Sequence, residues 1–484
     1  MSIVKQFVDS TYKLTHMKII KSFFTITLLF LACQANAMNP NEYNLWYFGI
    51  NAGLDFNSGT AVATTVSNFN VVDNSSVICD DNGFLLMYTN GTEIKNKNNQ
   101  VMPNGTGLMG HTSGGQTALF VHQPESQLYY LFTVPEFASI AGLRYSIIDM
   151  NADSGRGDVV SKNNLLFSPS TEKLTAIYNS SDKSFWIITH KFNSNEFDCF
   201  KLNATGLNTV PVISAVGTSN TGGSYGYIHG AVGQLSISYQ GDKLASAIQY
   251  TNGIEIFDFD INTGLISNPI LIINATNSFG ICFSPDGNKL YSTQWTGDGV
   301  YQYDLTTYTQ SSIQTSKIRI GTTTSGNPNY SAGYLQMGRD GKIYVAKYSS
   351  SYLSVISSPN NTGSACAFVD NGISLGTASS QAGLTNVAVY PGSIIGIIDI
   401  DDRIETKLFP NPLSEYGVIQ YPKNIQMKNT GLRVFDLLGR VYFPSFERRN
   451  DGIVFKRGHL VSGDYIYELL ENNKIVSTGN FLVK

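Results

Sequence analysis

Residues 280–291 read GICFSPDGNKLY, which is an apolar strand, a tight Asp286-Gly287 turn and the start of a second strand. Asp-Gly between alternating apolar residues is a strong β-hairpin signal. The pattern recurs at 233–245 (GQLSISYQGDKLA), at 333–345 (GYLQMGRDGKIYV) and, in shorter form, at 383–392 (GLTNVAVYPG). The leading glycines stand about fifty residues apart, a period typical of four-stranded propeller blades. The repeat therefore predicts an all-β fold, a WD40-like β-propeller.

Looser copies of the repeat precede these four, at 77–88, 118–132 and 174–188. Counting the partial last copy gives about seven blades, with six or eight as alternatives. A partial blade has to be completed from the other end of the chain, because ring closure removes exposed sheet edges. We expect residues 45–49 to complete it.

The composition agrees with many short strands and tight turns. Aromatic residues make up 12% of the 484 residues, and glycine occurs 45 times. Charged residues make up only 14%, against roughly 25% in an average soluble protein. The formal net charge of -4 makes a nucleic-acid-binding surface unexpected. The same figures exclude a disordered chain, collagen and a coiled coil.

The first 37 residues are typical of a targeting segment. Met17 begins a well-proportioned signal peptide, and Ala35 and Ala37 form the small-x-small pattern that signal peptidase cleaves. Residues 1–16 are therefore expected to be an over-called start, and Met38 the mature N-terminus. No later stretch approaches the roughly 20 apolar residues of a membrane helix, so no transmembrane segment is predicted.

Four cysteines follow the cleavage point: Cys79, Cys199, Cys282 and Cys366. An even number in an exported protein permits two disulfides. Long spacings, and apolar strand patterns around two of them, favour buried free thiols instead. Cys33 leaves a lipoprotein alternative open, although the residues before it form a poor lipobox. No Cys/His spacing suggests zinc, and neither a metal nor another cofactor is predicted.

The C-terminal region has a different character from the repeats. We expect the propeller to occupy residues 38–396 and a charged linker to occupy 397–406. Residues 407–484 alternate short strand-sized runs with turns, which suits a small immunoglobulin-like β-sandwich.

This tail carries a set of motifs in a fixed order, namely Pro410, Asn411 and Pro412, then Asp436, Gly439 and Arg440, then Leu460, Gly463 and Tyr465, and the terminal Lys484. In order and spacing the set resembles the type A C-terminal sorting domain of cargo of the bacterial type IX secretion system. The resemblance implies passage through the inner membrane by the signal peptide. Outer-membrane translocation by the type IX machinery would follow, leaving the protein secreted or on the cell surface.

The first half also resembles propeller regions of such cargo, at 46–49, 52–56, 100–105, 157–163 and 172–176. That resemblance implies architecture only, because it brings no activity with it.

Chemical motifs in the propeller region are weak. The G-x-S-x-G match at residues 222–226 lacks the helix that a nucleophile elbow requires. Arg156-Gly157-Asp158 is read as an incidental adhesion tripeptide. His229, which precedes an inner strand, is the one residue predicted to face the central funnel, and no catalytic or metal-binding set is predicted.

We therefore expect a surface or secreted propeller that binds a glycan, protein or matrix partner. Two alternatives stay open. One is a propeller-type hydrolase or lyase with its active site in the funnel, and the other is a structural or adhesive module of the cell envelope.

Overall fold

The structure is a computed structural model that describes residues 40–222, 229–249, 253–275, 277–325, 327, 332–391, 406–422, 430–436, 441–442, 444–449, 452–471 and 474–484. The chain divides into two compact units, Met1–Ile395 and Gly396–Lys484. The signal-cleavage residues Ala35, Ala37 and Met38 lie outside the described residues.

The first unit is a β-propeller, as the repeat predicted, and its described residues form seven small sheets. Blade 1 has three strands, β1 (Leu45–Phe48), β2 (Ile50–Asp55) and β3 (Val62–Asn70). Blade 2 consists of β4 (Ser75–Cys79), β5 (Leu85–Thr89), β6 (Glu93–Asn96) and β7 (Val101–Thr106). Blade 3 consists of β8 (Ala118–His122), β9 (Leu128–Thr133), β10 (Leu143–Asp149) and β11 (Asp158–Phe167). Blade 4 consists of β12 (Ser170–Asn179), β13 (Ser184–Lys191), β14 (Glu196–Asn203) and β15 (Gly206–Ala215).

The remaining blades follow the same order. Blade 5 consists of β16 (Leu235–Ile237), β17 (Lys243–Ile248), β18 (Gly253–Phe259) and β19 (Ile266–Ile272). Blade 6 consists of β20 (Ser278–Phe283), β21 (Lys289–Gln294), β22 (Gly299–Asp304) and β23 (Ile318–Thr322), with helix α1 (Gln310–Thr315) between its last two strands. Blade 7 consists of β24 (Ala332–Met337), β25 (Ile343–Lys347), β26 (Tyr352–Ile356) and β27 (Phe368–Ser374). A short strand, β28 (Thr385–Asn386), and 3-10 turns at Pro40–Tyr43, His229–Ala231 and Gly363–Cys366 complete the unit.

Two leading glycines of the repeats, Gly280 and Gly333, lie where backbone from the next repeat approaches closely. A Cβ added to Gly280 would lie 2.7 Å from the carbonyl oxygen of Gly333. A Cβ on Gly333 would lie still closer to the carbonyl oxygen of Ala382. Any larger side chain would push the inner strands apart, so the repeat begins on glycine for steric reasons.

The two ends of the propeller carry different connections, because neighbouring strands within a blade are antiparallel. From the strand directions of blades 2 to 7, we name as the upper face the end with the connections that enter each first strand and those that join second to third strands. The lower face carries the connections from first to second strands and from third to fourth strands.

The four cysteines after the signal segment are buried and free, as the strand patterns predicted. Cys79 lies in β4, Cys199 in β14 and Cys282 in β20, while Cys366 ends a 3-10 turn. Burial raises the pKa of Cys282 to about 12, so this thiol is not a nucleophile at neutral pH.

The second unit contains two four-stranded sheets in its described residues. One is formed by β29 (Lys407–Phe409), β30 (Tyr416–Gln420), β34 (Gly452–Lys456) and β33 (Phe446–Arg449), in that order. The other is formed by β32 (Val441–Tyr442), β31 (Thr430–Asp436), β35 (Gly463–Glu471) and β36 (Lys474–Val483). Ile419 and Phe455 of the first sheet share one buried cluster with Val434 and Leu469 of the second.

Candidate functional site

The centre of the propeller is filled by residues 384–390. Strand β28 pairs in parallel with β4 of blade 2. The Asn386 side-chain amide donates to the carbonyl oxygens of Ala118 (3.2 Å) in blade 3 and Leu174 (3.1 Å) in blade 4. The backbone of Val389 then bonds to β12 of blade 4. The segment therefore lies against the inner strands of three successive blades and, among the described residues, takes up space where a funnel was expected.

This arrangement corrects the expected closure of the last blade. Residues 45–49 were expected to pair with the last repeat, but the backbone bonds between the two ends join Ile50 to Ser379, upstream of that repeat. The Thr385 hydroxyl donates to the carbonyl oxygen of Tyr47 at 3.0 Å, which is a side-chain contact rather than a ladder. The inner strands of blades 2 to 4 offer unpaired backbone groups along the axis, and the last repeat satisfies those groups instead.

Two buried glutamines also tie blades together around the axis. Gln116 donates to the carbonyl oxygen of Leu235 at 3.0 Å and accepts from the amide of the same residue at 2.8 Å. Gln234 donates to the carbonyl oxygen of Leu335 at 2.7 Å and accepts from the amide of Ile281 at 2.9 Å. A fully bonded polar network of this kind rigidifies a core. We therefore look for a candidate site on the two faces.

On the upper face, one buried carboxylate fixes two neighbouring loops. Glu172 accepts from the backbone amides of Gly115 (2.6 Å) and Phe137 (2.7 Å), one on each oxygen. Burial raises the pKa of Glu172 to about 7, although these two amides and the charge of Lys173 act in the opposite direction. Burial also raises the pKa of Asp73 well above its ordinary value, and the charge of Glu172 adds to that effect. Two acids that resist ionisation therefore lie under this face.

The loop fixed by Glu172 presents apolar side chains to solvent. Phe137 is 49% exposed and Ile140 is 88% exposed. Phe137 and Ala138 both have left-handed backbone, with φ of 48° and 50°. Non-glycine residues in this region carry strain, which clusters at binding and switch sites. His111 and Glu136 link this loop to its neighbour, with 3.1 Å between Nδ1 and Oε2.

Blades 6 and 7 add an aromatic cluster to the upper face. Tyr334 stacks on Phe279 with ring centroids 4.2 Å apart and planes 11° apart. Trp295 lies 4.5 Å from Phe279, and Tyr348 meets Trp295 edge-on at 5.9 Å. Trp295 and Tyr348 are only half-buried. Aromatic rings that combine burial with a solvent-facing edge are suited to recognition.

A buried lysine joins blades 4 and 5 directly beneath this face. Lys173 donates to the carbonyl oxygens of Val232 (3.1 Å), Gly233 (2.9 Å) and Ala247 (2.6 Å). Burial lowers the pKa of Lys173 to about 7, while the charges of Glu172 and Glu255 raise it. Only the ammonium form has the three protons that these three acceptors require. The role of this lysine is structural.

On the lower face, a buried triad ties the two ends of the propeller together. His122 Nδ1 lies 2.6 Å from Glu42 Oε1, and the Tyr390 hydroxyl donates to Glu42 Oε2 at 2.8 Å. His122 Nε2 lies 2.8 Å from the carbonyl oxygen of Ser126, which can only accept, so Nε2 carries a proton. Burial lowers the pKa of His122, but the hydrogen bond and charge of Glu42 outweigh burial and raise it overall.

The other residues singled out in the sequence do not form a catalytic set. His229 begins a 3-10 turn just before β16, but its side chain is outside the described residues. Residues 223–226 of the G-x-S-x-G match are also outside them. Arg156 of the adhesion tripeptide pairs with Asp153 of its own loop at 2.7 Å. In the part of the chain that the structure describes, no three His, Cys, Asp or Glu side chains are placed to hold a metal ion.

In the second unit, the described residues of the predicted sorting motif lie within the two sheets or beside them. Asn411 accepts from the amide of Leu482 at 2.9 Å, so the segment with Pro410 and Pro412 lies beside the last strand. The amide of Lys484 donates to the carbonyl oxygen of Leu413 at 2.9 Å.

The later part of the motif lies at strand ends and in the core of that unit. Leu460 and Tyr465 are buried, and Tyr465 stacks on Phe481. Gly463 begins β35, and Asp436 ends β31. Gly439 and Arg440 lie outside the described residues.

No protein-family model and no curated protein sequence matches this chain. Among solved structures, the chain is similar to the Dos1 propeller, with 9% identity, a TM-score of 0.44, and coverage of 88% of this chain and 92% of that one. It is also similar to Hsv2 of Kluyveromyces lactis, with 10% identity, a TM-score of 0.39, and coverage of 65% and 90%. A streptogramin B lyase shares 11% identity, with a TM-score of 0.38 and coverage of 71% and 92%.

Similarity at these identities and TM-scores does not indicate an activity, a substrate or a partner for this chain. The blade order defines the class: the chain is a β-propeller protein with a second all-β unit at its C-terminus. No helix in the described ranges is both long enough and apolar enough to cross a membrane.

Proposed function

We propose that this protein is an exported binding protein. The signal peptide that ends at Ala37 directs it through the inner membrane, and the C-terminal unit is read by the type IX secretion machinery at the outer membrane. The propeller then contacts a glycan, protein or matrix partner at the cell surface or after secretion.

The filled channel is the observation that favours binding over funnel catalysis. Residues 384–390 occupy the axis where propeller enzymes would place a substrate, and Glu172, whose pKa is raised to about 7 by burial, has both oxygens bonded to backbone amides. What remains available is the surface of the faces. Apolar and aromatic side chains reach this surface, namely Phe137 and Ile140 on blade 3 and the half-buried Trp295 and Tyr348 on blades 6 and 7. Such side chains are suited to contact with a partner and do not supply acid, base or nucleophile.

A truncation and a fusion test the export route in a host that has the secretion system. Removing residues 405–484 should leave the propeller folded but in the periplasm. Fusing residues 405–484 to a signal-bearing fluorescent protein should carry that reporter across the outer membrane. Fractionation of both strains is the measurement, and a truncated propeller found at the surface contradicts the route.

Binding is tested on the purified protein with a glycan array and with pull-down of extracellular matrix fractions. Retention on either supports the binding function. Turnover of generic ester, lactone or glycoside substrates, with no retention on either, contradicts it.

A further inference from the structure

Blade 6 departs from the repeat in its third connection. Where blade 5 joins β18 to β19 by a tight turn, blade 6 inserts helix α1 between β22 and β23. The helix is capped at its start, since the Thr309 hydroxyl accepts from the amide of Ser312 at 3.3 Å. Ile313 of the helix is fully buried against the cluster between blades 5 and 6. The insertion is therefore a packed wall and not a loose loop.

A cavity of about 200 Å³ opens on the lower face between this wall and two hairpin turns. Leu305 and Tyr308 precede the helix and form one side. The turn at residues 240–243 of blade 5 and the turn at residues 286–288 of blade 6 form the other. Pockets for drug-sized ligands measure roughly 300–1,000 Å³, so this cavity accommodates one small unit.

The polar side chains in the blade 5 turn are already oriented by bonds within the protein. Asp242 Oδ1 accepts from the Ser238 hydroxyl at 2.8 Å, and Gln240 donates to the carbonyl oxygen of Pro285 at 2.8 Å. Lys243 is held 3.0 Å from Asp258. The side chain of Asp242 nevertheless remains 59% exposed, and its Oδ2, which lies 3.6 Å from the Lys243 ammonium, keeps lone pairs for a ligand.

The blade 6 turn is organised in the same way. Asn288 donates its side-chain amide to Asp286 Oδ2 at 2.8 Å, which directs the amide nitrogen inward to the turn. The side-chain oxygen of Asn288, Oδ1, can then accept from a ligand. Preorganised acceptors of this kind lose little entropy when a ligand binds.

The charges around the cavity restrict the class of ligand. Asp242 and Asp286 disfavour phosphate, sulfate and carboxylate groups, while the Lys243 ammonium disfavours metal ions and amines. The Lys243 ammonium also lies 4.8 Å from the centre of the Tyr308 ring. A neutral ligand rich in hydroxyl groups fits both constraints, since each hydroxyl can donate to an acceptor and accept from the lysine.

We propose that this cavity binds one neutral sugar residue, the terminal unit of a glycan. The inference rests on the proposed binding function and names its ligand class and its site. Asp242 and Asn288 accept from the sugar hydroxyls, and Lys243 donates to one of them. Leu305 and Tyr308 cover the apolar C–H face of the ring.

The test uses the purified full-length protein with the methyl glycosides of glucose, galactose, mannose and N-acetylglucosamine, measured by saturation-transfer NMR. At least one glycoside should bind. Asp242→Ala and Tyr308→Ala should each weaken its affinity at least tenfold. Asp298→Ala is the matched control, since Asp298 is an exposed carboxylate paired with Arg319 on the opposite face of the same blade, and it should bind as the unmodified protein does.

The possible outcomes separate this site from the function. If the glycan array is positive but Asp242→Ala and Tyr308→Ala bind normally, the cavity assignment is wrong while the binding function stands. If a matrix protein binds and no glycan or glycoside does, the sugar site is wrong and the binding function stands. If nothing binds, both fail. Should Tyr308→Ala not fold, Asn288→Ala takes its place, because it removes an exposed amide and leaves the wall intact.

Discussion

Glu172→Gln gives the sharpest test of the electrostatics beneath the upper face. The pKa of Glu172 is raised from 4.5 to about 7, mainly by burial. The folded protein therefore holds a proton that the unfolded chain has released between these two pH values. Protonated Glu172 makes its full contribution to the free energy of unfolding below pH 4.5, and this contribution is lost as the pH rises towards 7. At 1.36 kcal/mol per pKa unit, the free energy of unfolding falls by about 3 kcal/mol across this window.

The glutamine variant removes this titration but has its own cost. Its side-chain NH2 cannot accept from an amide, so Gly115 or Phe137 loses a partner at every pH, at about 1–3 kcal/mol. We therefore expect the variant to be the less stable protein at pH 5. Its pH profile should be flatter, and the two profiles should converge near pH 8.

Urea unfolding followed by tryptophan fluorescence at pH 5, 6, 7 and 8 is the assay. All three tryptophans, Trp46, Trp186 and Trp295, lie in the first unit, so the signal reports on the propeller alone. Glu125→Gln is the control, because Glu125 is an exposed partner of Lys183 and should leave the slope unchanged. Parallel pH profiles for the unmodified protein and Glu172→Gln would refute the reasoning.

Three further outcomes follow from the contacts around the axis. The raised pKa of His122 means that protonated His122 stabilises the folded protein fully below pH 6.5, and that this contribution is lost as the pH rises through the pKa of the folded state. Glu42→Gln should abolish the loss. Melting curves at pH 6 and 8 are the measurement. Lys173→Met removes three hydrogen bonds to buried carbonyl oxygens and should lower the free energy of unfolding by about 3–5 kcal/mol in urea titrations. Gly333→Ala forces a Cβ against the carbonyl of Ala382 and should destabilise the propeller by about 1–3 kcal/mol in the same assay; an unchanged midpoint contradicts the steric account of the repeat glycines.

The blades could be predicted from sequence because each depends on local patterns. Alternating apolar residues and the Asp286-Gly287 turn fix β20 and β21 without reference to other blades. The leading glycines carry a long-range constraint, but they carry it at a regular period, so Gly280 and Gly333 are visible in the sequence. The same regularity located the looser copies that became β4, β8 and β12.

The filling of the channel had no such signal. Asn386 bonds to residues more than two hundred positions away, and nothing in residues 383–392 distinguishes an axial segment from an ordinary inner strand. Gln116 and Gln234 precede different inner strands and bond to different blades, so their shared role has no common motif. Glu172 and Lys173 resemble a solvated pair in sequence, and only the close approach of three blades buries both.

These contacts together explain why function is to be sought on the faces. An empty propeller axis collects side chains from every blade and offers a natural place for catalysis. Here the axis is occupied by Asn386, Gln116 and Gln234, each with its amide bonded to backbone. Opening it for a substrate would leave several of these groups buried and unpaired, at about 1–3 kcal/mol each. The rigid centre instead fixes the loops and turns at both ends of the propeller. Among the described blades, blade 6 is the one with an α-helix between two of its strands, and the cavity lies beside the chain that leads into that helix.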